Sequence, residues 1–333
     1  MDVIELINIF RTYYKMYDYG EIDSESLLAK HDPTIRFTNS TSSAMKPYYT
    51  NGNKMNNKLL LIQPAMGCQG IDYWMKEKKV GCYSSYFLSF GIMGSYADYK
   101  SIIKLSLDFF TDILRINKDD FIVQYTDKHI EFANEIEKTN ICRMRNQFDD
   151  EYYLHYFGID GLLGKTMCYT IKNGDYMRYV GSVIILEQDG KPVAVEHSFD
   201  STLLLAAIKK EGHPVLELPG IIKWNLYYEK LIPYKMRIAF FDLLYVSVVL
   251  VIEGLKPGAR GRRRNLRNII KEVSRIVCKY KIILPNLRRI VQDIVEEELS
   301  VRKNLRKYEM QEDCKKEVEF YILSIIKENI VLD

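Results

Sequence analysis

Cations that recur at helical spacing beside a glycine-rich turn can hold a run of phosphates, and residues 254–280, G-L-K-P-G-A-R-G-R-R-R-N-L-R-N-I-I-K-E-V-S-R-I-V-C-K-Y, have that form. Pro257, Gly258 and Gly261 mark a loop. After it Leu266, Ile269, Ile270, Val273, Ile276 and Val277 recur every three or four residues, the period of a helix with one apolar face. Arg263, Arg267, Lys271, Arg275 and Lys279 follow at four-residue steps as a cationic ridge. Lys256, Arg260, Arg262 and Arg264 add to it from the loop and first turn. From Lys256 to Arg289 there are twelve Lys/Arg and one acid, Glu272, a window of +11 in a chain of +3, so the remaining residues sum to −8. Charge so concentrated suits a polyanion; an acidic protein surface is the alternative partner.

Other candidate groups carry less chemistry. Gly158, Gly161 and Gly164 could present backbone N–H groups to a phosphate, but match neither G-x-G-x-x-G nor a P-loop, and read as turns among strands. The six cysteines show no C-x-x-C spacing, which argues against zinc or a disulfide framework and for reduced thiols in a cytoplasmic protein. No metal site is expected.

The elements that must position these groups follow from composition and period. A chain of 333 residues, 47% hydrophobic and 27% charged, has room for two domains and a substantial core. No apolar run reaches the roughly 18 residues of a membrane span, and the longest, 238–252, is interrupted by Asp242 and reads as a buried helix. The first residues, M-D-V-I-E-L-I, lack the basic start of a secretory signal. Residues 3–20 predict an amphipathic helix, 31–40 a strand after a proline, 51–57 a loop, and 59–62 and 80–90 two strands separated by a polar segment. A long helix is expected over 99–114, a strand over 121–125 and a helix over 127–138. Asp189-Gly190 between 176–188 and 191–197 is a hairpin signal, and Asp200 or Ser201 caps a helix running to 210. Helices are then expected over 235–252, through the basic segment, over 287–299 and over 313–330. Strands first and helices afterwards give an α+β domain over 1–230 and an all-α domain over 231–333.

H-D-P-T-I-R-F-T-N-S (31–40) and E-G-L-K-P-G-A-R-G-R-R-R-N-L-R-N-I-I (253–270) resemble alanyl-tRNA synthetase, which carries N-D-P-T-L-L-F-T-N-A-G-M and D-G-x-x-P-S-N-E-x-R-G-Y-V-L-R-R-I-I. F-G-I-M-G-S-Y-A-D-Y-K (90–100) and F-G-I-D-G-L-L-G-K (157–165) are similar to segments between those anchors. The resemblance implies a class II synthetase-like antiparallel sheet flanked by helices, followed by a helical tRNA-recognition domain. It implies that the family's editing and C-terminal regions are absent after Asp333. It also implies an amino-acid pocket in which Asp200 meets the substrate's α-amino group, with His155 where the family has a tryptophan and Cys168 where it has an acid. Arg262 and Arg267 match two arginines of its tRNA-recognition segment, while its base-reading asparagine becomes Ala259 and the acidic neighbour Arg260.

The departures concern ATP. A class II enzyme holds the ATP phosphates with two arginines, because charge concentrated in the transition state needs fixed cations. After Gln63 the chain reads P-A-M-G-C-Q-G, and where the second arginine is expected it reads F-D-S-T-L-L-L-A-A. Loss of one such donor costs about 10²–10³ in rate. The expectation is a catalytically degenerate paralogue, with no cofactor, that binds tRNA or aminoacyl-tRNA through the basic loop and helix and serves a biosynthetic pathway or a partner enzyme, with an amino acid as a further ligand. Two alternatives stay open. One is an ATP- and magnesium-dependent ligase for an unusual amino acid or acceptor, its cations replaced by Lys76, Lys78, Lys79 or Lys165; the other is a protein-interaction subunit without an RNA role.

Overall fold

The computed structural model describes residues 1–29, 32, 34–50, 55–145, 148–210, 212–306 and 314–330. The chain opens with α1 (Val3–Lys15), capped by Asp2 and burying Leu6, Ile7, Phe10 and Tyr14. Then come β1 (Gly20–Glu21), α2 (Thr41–Tyr49), β2 (Leu59–Met66), α3 (Cys68–Glu77), β3 (Tyr86–Gly94) and α4 (Tyr99–Asp108), which runs on as a π turn, Phe109–Ile113. Next are β4 (Phe121–Tyr125), α5 (Ile130–Ile136), β5 (Cys142–Arg145), β6 (Leu154–Tyr156), β7 (Leu162–Asn173), β8 (Tyr176–Gln188), β9 (Lys191–Asp200), α6 (Ser201–Lys209) and α7 (Ile221–Tyr228). Four longer helices follow: α8 (Tyr234–Ile252), α9 (Gly261–Lys279), α10 (Leu284–Arg302) and α11 (Cys314–Ile330).

Among the described residues the strands form one sheet in the order β1-β2-β3-β9-β8-β7-β4-β5, with β6 against β7. The β1–β2 and β4–β5 pairs are parallel and the others antiparallel. The class is therefore the α+β arrangement expected, a largely antiparallel sheet flanked by helices and followed by a helical region. Asp189 and Gly190 turn β8 into β9 with φ of 51° and 74°, the positive values that a two-residue hairpin requires.

Some expectations differ from the structure: the strand expected over 80–90 begins at Tyr86, Gly164 lies within β7 and not in a turn, and two segments take another form. Residues 34–40 form turns instead of a strand. Phe37 drops into the core, and Thr38 makes single backbone bonds, donating to Leu27 and accepting from Met66, in place of a ladder. Ser40 then caps α2, its Oγ accepting from Ser43 N. His31 and Pro33 of this motif, and residues 51–54 of the expected loop, lie outside the described residues. The polar segment between β2 and β3 is a helix, α3, because Ile71 and Trp74 three residues apart bury one face.

α2 lies directly on the sheet. A Cβ at Gly91 would stand 2.3 Å from Thr41 Oγ1, so glycine is what permits the approach. Beside it, buried Glu196 on β9 accepts hydrogen bonds from Thr41 Oγ1 (2.6 Å) and Ser42 Oγ. Burial pushes its carboxyl up to about 7.

The helical region is docked through shared core and through one polar network. α8 is buried on every side from Arg237 to Ile252, as its apolar run predicts, and one apolar cluster joins it to Met66 and Tyr86 of the sheet and to α9, α10 and α11. Asp242 satisfies its carboxylate on Ser85, accepting from the backbone N (2.8 Å) and Oγ (2.6 Å). Glu298 of α10 accepts from Tyr86 OH on β3, from Tyr245 OH on α8 (2.7 Å) and from Arg302 Nε (2.6 Å). Arg302 also pairs with Glu253, which in turn accepts from Ser26 Oγ and Leu27 N. Among the described residues no helix is long and apolar enough to cross a membrane.

Candidate functional site: an open cleft and a cationic helix

The sheet carries an open cleft of about 640 Å³ between α2 and the strands. Its floor is Phe87 and Ser89 of β3, Tyr179, Ser182 and Ile184 of β8, and Ser198, Phe199 and Asp200 of β9. Thr34, Ser40, Ser42, Ser43 and Lys46 close one side, and His155, Tyr156 and Phe157 one end. Hydroxyls and rings dominate the lining. Its basic side chains, among the described residues, are Lys46 and His155.

Lys46 is not available to an anion. Its ammonium lies 2.6 Å from Asp32 Oδ2 and donates to Phe157 O (3.1 Å) and Thr34 Oγ1 (3.3 Å). Burial works against ionisation of Asp32, but Lys46 and the Thr34 donors prevail and hold its carboxyl below the usual range. This pair fixes α2 to the end of the cleft.

Asp200 closes the floor and caps α6, its Oδ1 accepting from Thr202 N (2.7 Å), Leu203 N (3.0 Å) and Thr202 Oγ1 (2.7 Å). Burial nevertheless pushes the carboxyl up to about 7, so a ligand ammonium arriving in the cleft would recover its charge. His155, in β6, leans on Phe157 with ring centroids 5.4 Å apart, and the surrounding walls depress its pKa. Cys168 is buried in β7 and its thiol is pushed up to about 12 by burial, far from a thiolate nucleophile.

The second feature is α9. Leu266, Ile269, Ile270, Val273, Ile276 and Val277 are buried, as the period predicts. Arg260, Arg264, Arg267 and Lys271 are spaced four, three and four residues apart, and at about 100° per residue they share one stripe opposite the buried face. Among the described residues their side chains have no ion-pair or hydrogen-bond partner. Four other cations of this segment, Lys256, Arg262, Arg263 and Arg275, are engaged. Lys256 pairs with Glu317 at 3.1 Å, Arg263 Nε donates to Lys256 O (3.1 Å), and Arg275 pairs with Glu272 at 2.7 Å. Arg262 turns inward, donating from Nη1 to Leu28 O (2.6 Å) and from Nη2 to Ile35 O (3.3 Å), with its guanidinium over the Phe37 ring.

Over 121 residues, 35% of this chain, the sequence is 27% identical to alanine–tRNA ligases of Coxiella burnetii strains Dugway 5J108-111 and RSA 331 / Henzerling II. Over that stretch the chain is similar to alanine–tRNA ligases. The matched stretch spans 14% of those relatives. No family model matches the chain. Similar solved structures are the apo histidyl-tRNA synthetase of S. aureus (13% identity, TM-score 0.38, 63% of this chain and 70% of that one) and the asparaginyl-tRNA synthetase of Entamoeba histolytica in complex with asparaginyl-adenylate (8%, 0.40, 64% of each). A third is the RNA binding domain of threonyl-tRNA synthetase from Cryptosporidium parvum Iowa II (11%, 0.40, 68% and 70%).

The structure places the residues singled out in the sequence at two locations. Asp200 and His155 meet in the cleft, and the cations from Lys256 to Arg275 lie along α9 and the loop before it. Of the lysines named as replacements for an ATP clamp, Lys76, Lys78, Lys79 and Lys165, none lines the cleft. Lys78 pairs with Glu272 at 2.6 Å, Lys79 with Glu77 at 2.7 Å and Lys165 with Glu187 at 2.7 Å. Lys46 was not singled out, although its place in the α2 segment just after the 31–40 motif is a signal that could have found it.

Proposed function

We propose that the chain is a degenerate alanyl-tRNA synthetase paralogue that captures tRNA or aminoacyl-tRNA on α9 and does not activate an amino acid in the ordinary way. One contrast carries this reading: the cleft's ammonium is already neutralised by Asp32, whereas Arg260, Arg264, Arg267 and Lys271 stand together with no ion-pair or hydrogen-bond partner among the described residues. Fixed cations are what an ATP-activating site requires and what a polyanion-binding surface displays. Four phosphates neutralised along the stripe would give a log–log salt slope of about −3.6 on a duplex stem.

The cleft, lined by hydroxyls and rings, is then free for the acceptor end, with Asp200 as partner for an aminoacyl ammonium. Residues 1–230 would hold that end and residues 231–333 the stem. Delivery of aminoacyl-tRNA to a biosynthetic pathway or a partner enzyme in the cytoplasm is the role that suits such a protein. The test is ATP–pyrophosphate exchange with magnesium and a panel of amino acids. No exchange is expected; saturable, amino-acid-dependent exchange would overturn the proposal and put the ligase reading in its place.

A further inference from the structure

A second cavity, of about 370 Å³, lies between α3, the start of α8 and the second half of α9. Lys78, Lys235, Arg275 and Lys279 line it, with Trp74 and Glu272 among its walls. Glu272 is buried, its side chain 5% exposed, and it organises the site. Its Oε1 accepts from Lys78 Nζ (2.6 Å) and Trp74 Nε1 (3.2 Å), and its Oε2 from Arg275 Nη1 (2.7 Å). Burial pulls its pKa upward, but these donors prevail and keep the carboxyl below the usual range, so it stays ionised. One carboxylate against four cations leaves +3 around the cavity. Lys235 and Lys279 have no acidic partner among the described residues.

We infer that this cavity is a second phosphate site, and that its phosphates belong to the same RNA backbone that the α9 stripe holds. The inference rests on the tRNA-binding reading above and extends it. Two observations favour a backbone over a small phosphorylated metabolite. The cavity lies on the same helix: Arg275 stands one turn beyond Lys271, and Arg260 to Lys279 spans about 28 Å at 1.5 Å per residue, the reach of several successive phosphates. The cavity also offers charge without identity. Glu272 is consumed by its three donors and Trp74 is 4% exposed, so no free acceptor or open ring face among these residues would read a base or a sugar.

The experiment is fluorescence anisotropy of labelled tRNA on the whole chain over a range of salt, comparing wild type, Lys235→Ala with Lys279→Ala, the same pair changed to Arg, and Arg264→Ala with Arg267→Ala. Inorganic phosphate and pyrophosphate are titrated separately. Both lysines are exposed and lie outside the Glu272 bonds, so the fold is preserved. The Lys-to-Ala pair is expected to weaken tRNA binding about tenfold near 0.1 M salt and to make the salt slope shallower by about 2, while the Arg pair keeps both. Unchanged affinity and slope in the Lys-to-Ala pair, with weakening in Arg264→Ala/Arg267→Ala, would overturn this site and leave the proposed function standing. Lost phosphate or pyrophosphate binding with tRNA affinity intact would assign the cavity to a small phosphorylated ligand and overturn the backbone assignment. Absence of tRNA binding in the wild type would overturn both.

Discussion

Replacing Arg262 by Ala separates a structural role from an RNA-binding one. Its guanidinium ties the start of α9 to the loop before α2, through Leu28 O at 2.6 Å and Ile35 O at 3.3 Å, and lies 5.8 Å from the Phe37 ring centroid. A hydrogen bond from a charged donor contributes about 1.5–3 kcal/mol, the longer bond less, and an exposed cation–π contact about 0.5–1 kcal/mol. Partial exposure of the side chain argues for the lower part of that sum, about 2 kcal/mol. With an unfolding entropy of about 2.1 cal/mol/K per residue, 333 residues give about 0.7 kcal/mol/K, so the midpoint should fall by about 3 °C. Thermal unfolding followed by circular dichroism measures this, with Arg267→Ala as the control. Arg267 is exposed and without a partner among the described residues, so its change should stay within about 0.5 kcal/mol. If Arg262→Ala melts with the wild type while losing tRNA as fully as Arg267→Ala, the inward assignment of Arg262 is wrong.

Three further outcomes are expected. Glu298→Ala removes the charged acceptor of Tyr86 and Tyr245 and one of the two carboxylates on buried Arg302, which keeps Glu253, so urea unfolding should show a loss of about 3–5 kcal/mol; a loss below about 1 kcal/mol would mean that the network does not join sheet to helices. Glu196, whose folded pKa is raised to about 7 by burial, binds its proton more tightly folded than unfolded, so it withdraws stability as pH rises from about 4.5 to 7. Glu196→Gln should therefore gain on the wild type across that window, and a constant difference from pH 4 to 8 would count against the assignment. Asp200→Asn should keep the cap of α6, whereas Asp200→Ala should cost about 1–2 kcal/mol with tRNA affinity retained; equal stability of the two variants would refute the capping role.

Much of the frame was legible because single segments declare it. The apolar run of α8, the Asp189-Gly190 turn, the Asp200 cap and the period of α9 are local patterns, and each gives the element expected. What escaped depends on distant partners. The 31–40 segment has strand composition, but Phe37 is drawn into the core and Thr38 meets only single partners, so no ladder forms. α3 looks polar until Trp74 finds Glu272, 198 residues away. Along α9 all the cations look alike in composition. Arg262 lies four residues before Leu266 and seven before Ile269, on the buried side of the helix, and that register is the cue separating it from Arg260, Arg264, Arg267 and Lys271. Lys46 could be placed near the cleft from its motif, but its neutralisation by Asp32 required the packing of α2 on the sheet.

The most direct test of the central claim is the salt dependence of tRNA affinity for wild type and for Arg264→Ala with Arg267→Ala. The account predicts that the wild type binds with a steep log–log slope and that the variant binds more weakly, its slope shallower by about 2, with its thermal midpoint unchanged. Equal affinity and slope in the two proteins would contradict it.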